Sequence, residues 1–223
     1  MRRFALSLAA ISALTHQTAL AQMDHHHGHH GHGMHHEHHA HGMGPAGSTY
    51  DLRFIDGMVE HHTCALRMSE FVFNIGAPGV GALANSIWSE QAREIKAMRQ
   101  WRKGWYPDAP VYPVALRFYG DPNSMADLVR MSPAVIAAMR MSGTKPTREN
   151  RVQWFLEGMI EHHGGALQMA HEARQNSTNP TILRLAREII VSQRKEIIDL
   201  RKMLQSKGMN KPDYYKFDGL FAL

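Results

Sequence analysis

The stretch Asp56-Gly57-Met58-Val59-Glu60-His61-His62-Thr63-Cys64-Ala65-Leu66-Arg67-Met68 returns later in the chain as Glu157-Gly158-Met159-Ile160-Glu161-His162-His163-Gly164-Gly165-Ala166-Leu167-Gln168-Met169. The shared pattern is acid-Gly-Met-aliphatic-Glu-His-His-x-x-Ala-Leu-x-Met, with too many specified positions to recur by chance. A weaker block follows each copy: Gln91-Ala92-Arg93-Glu94-Ile95 and Gln193-Arg194-Lys195-Glu196-Ile197. Duplication of a two-helix unit is the economical account of two blocks repeated in the same order.

Hydrophobic spacing supports helices on both sides of the blocks. Leu52, Ile55, Val59, His62, Leu66, Ser69 and Val72 step by three or four, as one helix face does. Gly76 ends that run and Pro78 opens the next, whose stripe is Val80, Ala84, Ile87, Gln91, Glu94, Met98 and Trp101. In the second copy, Val152, Phe155, Met159, Ile160 and Leu167 mark the first helix. Asn179 caps the second, with Pro180 at its first position and a stripe of Ile182, Ala186, Ile189, Gln193, Glu196, Leu200 and Met203. Two helical hairpins with short links predict an all-α four-helix bundle. Hairpin one spans 48–104 and hairpin two 147–207. The connector 105–146 is richer in Pro and Gly, and Asp121-Pro122 and Ser132-Pro133 are each read as starting a short helix. The aromatic tail 208–223 has no assigned place.

Upstream, Arg2 and Arg3 precede the apolar run Phe4 to Leu14, and Ala19-Leu20-Ala21 stands before Gln22. A charged start, a short apolar core and a small-residue exit read as a secretory signal over residues 1–21. The run is too short to span a bilayer, and nothing later approaches the roughly 20 apolar residues a membrane helix needs. The mature chain is therefore expected to begin near Gln22, in the periplasm or outside the cell, with no membrane attachment. Its formal charge of +5 includes the two signal arginines, and no Lys/Arg run stands out, so nucleic acid is not an expected partner.

Histidine is the abnormal count, seventeen against a single cysteine. One thiol cannot form an internal disulfide framework. Many of the histidines lie in the low-complexity segment 22–47, at His25, His26, His27, His29, His30, His35, His36, His38 and His39, separated by glycines. Without apolar periodicity this segment is expected to be disordered until it meets a ligand. Its imidazoles suit Cu(II) or other divalent ions through many interchangeable sets.

The repeated block carries the sharper chemistry. At about 100° per residue, Met58, His61, His62 and Met68 fall in one sector about 120° wide, and Met159, His162, His163 and Met169 do the same. Each hairpin thus offers two imidazoles and two thioethers on the side of its apolar stripe. Met98, one turn past Glu94, offers a further sulfur to the first site. The facing helices bring Gln91 and Glu94, or Gln193 and Glu196, into an otherwise apolar seam. Burying these polar groups without partners costs several kcal/mol, so coordination or a hydrogen-bond network is expected. Thioethers select Cu(I) over the harder ions that carboxylates prefer. Cys64 lies at the sector's edge and is replaced by Gly165 in the second copy, which favours a structural or auxiliary role.

The acid-Gly-Met-x-x-His-His-x-x-Ala-Leu-x-Met block followed by Gln-x-x-Glu-Ile resembles the CopM-like family of secreted, ferritin-like helical proteins. Many of these are described only as a domain of unknown function. The resemblance covers residues 50–104 and 147–207. It implies a ferritin-like bundle that binds copper and helps the cell tolerate it. It also implies Met58, His61, His62, Met68, Met98, Met159, His162, His163 and Met169 as copper ligands. Glu60 and Glu161 depart from the family pattern, where proline is common, and Met98 has Leu200 as its counterpart.

The leading expectation is a copper-binding protein without catalysis, partnered by copper ions and by a periplasmic copper sensor or exporter. A zinc or nickel buffer acting through the histidine-rich segment is the alternative. A ferritin-like metallo-oxidoreductase fits less well, because di-iron bundles use Glu-x-x-His and neither Glu60 nor Glu161 has histidine three residues on.

Overall fold

The structure, a computed structural model, describes residues 42–76, 79–140 and 145–223. The signal segment, the histidines between 25 and 39, Pro78 and Met141 lie outside the described residues. Four long helices carry the fold: α1 (Tyr50–Glu70), α2 (Val80–Trp105), α4 (Arg151–Asn176) and α5 (Pro180–Ser206), with a short α3 (Pro133–Met139) in the connector. α1 pairs with α2 and α4 with α5, and the two hairpins meet along α1 and α4. The all-α bundle expected from the duplicated block is the architecture found. Among the described residues no helix is long and apolar enough to cross a membrane.

The stripes behave as their spacing requires. Leu52, Ile55, Val59, Val72, Val80, Ala84 and Ile87 are buried in the first hairpin, and Phe155, Ile160, Leu167, Ile182, Ala186, Ile189 and Leu200 in the second. α5 starts where the cap signal places it: Asn179 Oδ1 accepts the Thr181 N–H at 3.0 Å, with Pro180 at the first position.

The connector departs from the all-helical reading. Val114–Leu116 (β1) pairs antiparallel with Leu128–Arg130 (β2), in the register Ala115 opposite Val129. Three-residue strands are too short for alternation to register in a sequence. Ser132-Pro133 does open a helix, α3, with Ser132 Oγ accepting the Val135 N–H at 3.2 Å. Asp121-Pro122 does not. Asp121 Oδ1 accepts the Asn123 N–H at 2.9 Å, closing a tight turn, and only a single 3-10 turn, Met125–Asp127, follows.

The acids of the repeated block dock the segment that follows each hairpin. Asp56, fully buried, accepts from Arg102 Nε at 2.6 Å and from the Val114 N–H at 3.0 Å. Glu60 pairs with Arg140 at the end of α3, with Nε at 2.7 Å. In the second copy Glu157 takes Lys211 at 2.6 Å and the Tyr214 hydroxyl at 2.5 Å, and Glu161 takes Lys216 at 2.9 Å. The aromatic tail is thereby seated on the second hairpin. Phe217 lies over Gly164, where any Cβ would collide with its ring. Glu60 and Glu161 thus each anchor a strap.

The strap on the second hairpin is acid-sensitive. Burial pushes the Glu157 carboxyl up, but hydrogen bonds from Lys211, Tyr214 and Gln153 outweigh it and hold the group below the ordinary glutamate value. Its contribution to tail docking is therefore present above pH ~4.3 and lost as pH falls through the lower folded value. Limited proteolysis of the C-terminal tail is expected to accelerate through that window. Glu157→Gln is expected to loosen the tail already at pH 7 and to flatten this acid response.

Candidate metal centre

α1 and α4 cross antiparallel: Gly57 meets Met169, His61 meets His162, and Met68 meets Gly158. The imidazoles of His61 and His162 lie against each other with centroids 3.8 Å apart and planes tilted by 38°, and His162 Nε2–H donates to the His61 carbonyl at 2.8 Å. The block's glycine is a notch on each helix. The Met68 methyl stands 2.9 Å from where a Cβ on Gly158 would be, and the Met169 methyl 3.6 Å from the same point on Gly57. Each thioether thus crosses the interface and comes to lie one turn from the seam histidine of the other copy.

The second histidine of each pair turns into its own hairpin. His62 Nε2 meets Glu94 Oε2 on α2 at 2.6 Å, and His163 Nε2 stands 2.9 Å from Glu196 Oε2 on α5. The latter oxygen lies off the line of the ring N–H, so the contact is an electrostatic pair rather than a formed hydrogen bond. Within each pair the rings are 6.2 Å (His61–His62) and 5.9 Å (His162–His163) apart. Met58, Met98 and Met159 are all fully buried. By helical angle Met58 lies between the two histidines, about 40° from His62 and about 60° from His61.

The single four-donor sector expected in each hairpin therefore divides. His61 and Met68, with His162 and Met169, belong to a shared seam between the hairpins. His62 faces Glu94 within the first hairpin and His163 faces Glu196 within the second, while Met58, Met98 and Met159 are buried in the core. A helical wheel fixes angles but not which neighbouring helix covers each part of a broad sector.

The donors fit a soft ion on one count above the rest. His62 is completely buried, its Nε2 is held by Glu94, and its Nδ1 has no hydrogen-bond partner among the described residues. With Nε2–H given to the carboxylate, the Nδ1 lone pair is the remaining donor, and a carboxylate behind an imidazole is the support that metal-binding histidines use. His163 repeats this placement with Nδ1 likewise unpartnered. The side-chain amide of Gln91 and Oε1 of Gln193, both in buried residues, are unpartnered too. Each such group costs about 1–3 kcal/mol, more than a packed helical seam needs to spend on polarity. Among the described residues no three His, Cys, Asp or Glu side chains converge.

Of the other methionines, Met125 is exposed while Met131 and Met139 are buried. Sequence reasoning passed over Met43. It lies at the edge of the glycine–histidine segment with no apolar period around it, yet it is buried and its Sδ fills the Gly57 notch beside Met169. Residues 42–47, read as part of the structureless segment, are packed here: Arg53 donates to the Met43 and Pro45 carbonyls, and Glu172 accepts the Met43 N–H at 3.0 Å.

Comparison with known proteins gives the same architecture. The family model described as "Domain of unknown function (DUF305)" matches residues 8–102 and again 51–204. A solved structure described as "CopM in the Cu(I)-bound form" is 27% identical, covering 70% of this chain and 96% of its own, with a TM-score of 0.50. "CopM in the Cu(II)-bound form" is 26% identical over 70% of this chain and 96% of that one, with a TM-score of 0.51. A DUF305 fragment from Deinococcus radiodurans is 26% identical over 73% and 99%, with a TM-score of 0.51. No curated protein matches.

Cys64 is buried on α1, at the position Gly165 holds on α4, and is a free thiol. Burial pushes that thiol up to about 11, against smaller opposing effects of Arg67 and Arg140. It is protonated near neutrality, when it is a poor nucleophile and a poor ligand. Alkylation by iodoacetamide at pH 8 is expected to run roughly a hundredfold or more slower than for an exposed cysteine, from the thiolate fraction alone, and to rise tenfold per pH unit up to about pH 10.

Proposed function

We propose that this chain, which belongs to the DUF305 family, is an exported copper-binding protein that holds Cu(I) as cargo through histidine and methionine and does no catalysis. The observation that carries this is the buried His62, backed by Glu94 on one nitrogen and unpartnered on the other, with its counterpart His163 backed by Glu196. Neutral imidazole and thioether are the donors at hand, and that set prefers Cu(I) to harder ions. The Cu(I)- and Cu(II)-bound forms of the similar CopM support the same reading. Met58 and Met98 are the thioethers assigned to His62, and Met159 the one assigned to His163. Met68 and Met169 serve the His61–His162 seam. The histidines at 25–30 and 35–39 are assigned capture of further ions, Cu(II) among them. The secretory signal assigns the work to the periplasm or cell exterior, with tolerance or sequestration as the task and a copper sensor or exporter as the class of partner.

A catalytic di-iron reading has little to stand on. Glu60 and Glu161, the carboxylates beside the histidine pairs, are committed to Arg140 and Lys216.

Anaerobic Cu(I) titration of the full chain against a competing chelator tests the assignment. Glu94→Gln is expected to weaken the first-hairpin site about 10- to 100-fold, the usual cost of losing a carboxylate behind a ligating histidine. His62→Ala with His163→Ala is expected to abolish two tight equivalents while helical circular dichroism is retained. Unchanged affinity in that double variant would refute the hairpin sites. Loss of all capacity on deleting residues 23–41 would instead transfer the function to the histidine-rich segment.

A further inference from the structure

The duplication makes the two hairpins comparable position by position, and they differ in what covers them. On the second, the C-terminal tail lies along α4 and α5. Phe217 sits on Gly164, the Leu220 carbonyl accepts from His171 Nε2 at 2.9 Å, and the Phe221 carbonyl accepts from Arg194 at 2.7 Å. Asp218 pairs with Arg201, whose guanidinium also lies 4.6 Å from the Tyr215 ring and 5.4 Å from the Phe221 ring. Under this cover Leu167 is fully buried and Arg201 is only 6% exposed.

The His62–Glu94 and His163–Glu196 pairs set the register between the copies, so Leu66 answers to Leu167, Ala92 to Arg194 and Arg99 to Arg201. On the first hairpin these positions are open: Leu66 is half-buried and Arg99 is exposed. A groove of about 460 Å³ runs there, with Leu66, Ala92 and Ile95 as its floor and Lys96, Arg99 and Lys103 along its rim. The connector docks elsewhere, on Asp56 and Glu60, and among the described residues none of it lines the groove. An apolar floor with a charged rim marks an interaction surface. The rim is one-signed: Lys96 and Lys103 stand where α5 has Ile198 and Gln205, and the described lining holds no carboxylate.

We infer that this groove docks an acidic, aromatic-bearing segment of a partner protein, laid along α1 and α2 as the tail is laid along α4 and α5. The second hairpin supplies the chemistry of the occupant: a carboxylate against Arg99, as Asp218 stands against Arg201, and a ring over the same guanidinium, as Phe221 does there. Thr63 replaces Gly164, so a ring cannot press on α1 as Phe217 presses on α4, and the grip passes to the cations of α2. A second copy's tail fits less well. That tail brings Lys211 and Lys216 to Glu157 and Glu161, whereas the corresponding acids here, Asp56 and Glu60, are already taken by Arg102 and Arg140. Three rim cations with no acid among them favour a segment richer in carboxylates. The inference does not depend on the copper reading.

The test uses the full chain labelled with carbon-13 at the leucine and isoleucine methyls, with the synthetic peptide Phe-Asp-Glu-Leu-Phe-Asp-Leu as probe. Saturable shifts of Leu66 and Ile95 are expected, with an affinity that falls as salt is raised. The charge-reversed peptide Phe-Lys-Lys-Leu-Phe-Lys-Leu is expected to leave both methyls still. Arg99→Glu with Lys103→Glu, at two exposed positions, is expected to weaken the acidic peptide about tenfold or more. Equal binding of the two peptides, no shift at Leu66, or shifts confined to Leu167 and Ile197 would overturn the inference. So would a concentration-dependent shift of Leu66 without peptide, which gives the groove to a second copy. The comparison of peptides on the unaltered chain decides the matter even if the double variant does not fold.

Discussion

A buried imidazole has two nitrogens to satisfy, and in each hairpin of this bundle a carboxylate stands against only one of them. His62 and His163 sit at zero exposure with Glu94 and Glu196 against Nε2, leaving Nδ1 unpartnered among the described residues. That arrangement is a standing cost to folding, and it recurs in both copies. In the proposed function, coordination would remove that cost, because a metal would take the lone pair that no hydrogen-bond donor reaches among the described residues.

The rest of the architecture follows from putting two such units face to face. Glycine in the repeated block lets the Met68 and Met169 methyls enter the opposing helix, and α1 and α4 come close enough for the His61 and His162 rings to touch. The acids one and two turns away then serve a different purpose in each copy. Asp56 and Glu60 fasten the connector, while Glu157 and Glu161 fasten the C-terminal tail. Structural straps thus flank the donor residues without competing for a metal.

Much of this was legible in the residues. The recurrence of thirteen-residue blocks, their helical period and the Asn179-Pro180 start predict two hairpins and an all-α bundle; α1, α2 and α5 begin and end within four residues of their stripes, while α4 runs nine residues past Leu167. The burial of His61, His62, His162 and His163 was legible because polar groups in an apolar stripe stand out. Their grouping was not. The sector containing Met58, His61, His62 and Met68 is broad enough to face two neighbours, and the sequence carries no direct sign of which helix lies on which side. The β1–β2 pair escaped notice because three residues cannot display alternation. Met43 escaped because its burial is decided by Arg53 and Glu172, the second of them far away in sequence.

The central claim is that sulfur and imidazole nitrogen share the ion inside the bundle. X-ray absorption at the copper edge of the Cu(I)-loaded full chain measures that directly. A first shell containing both sulfur and nitrogen scatterers, with the nitrogen contribution reduced in the His62→Ala, His163→Ala variant, is the result this account predicts. A shell of nitrogen and oxygen alone, unchanged in that variant, would contradict it.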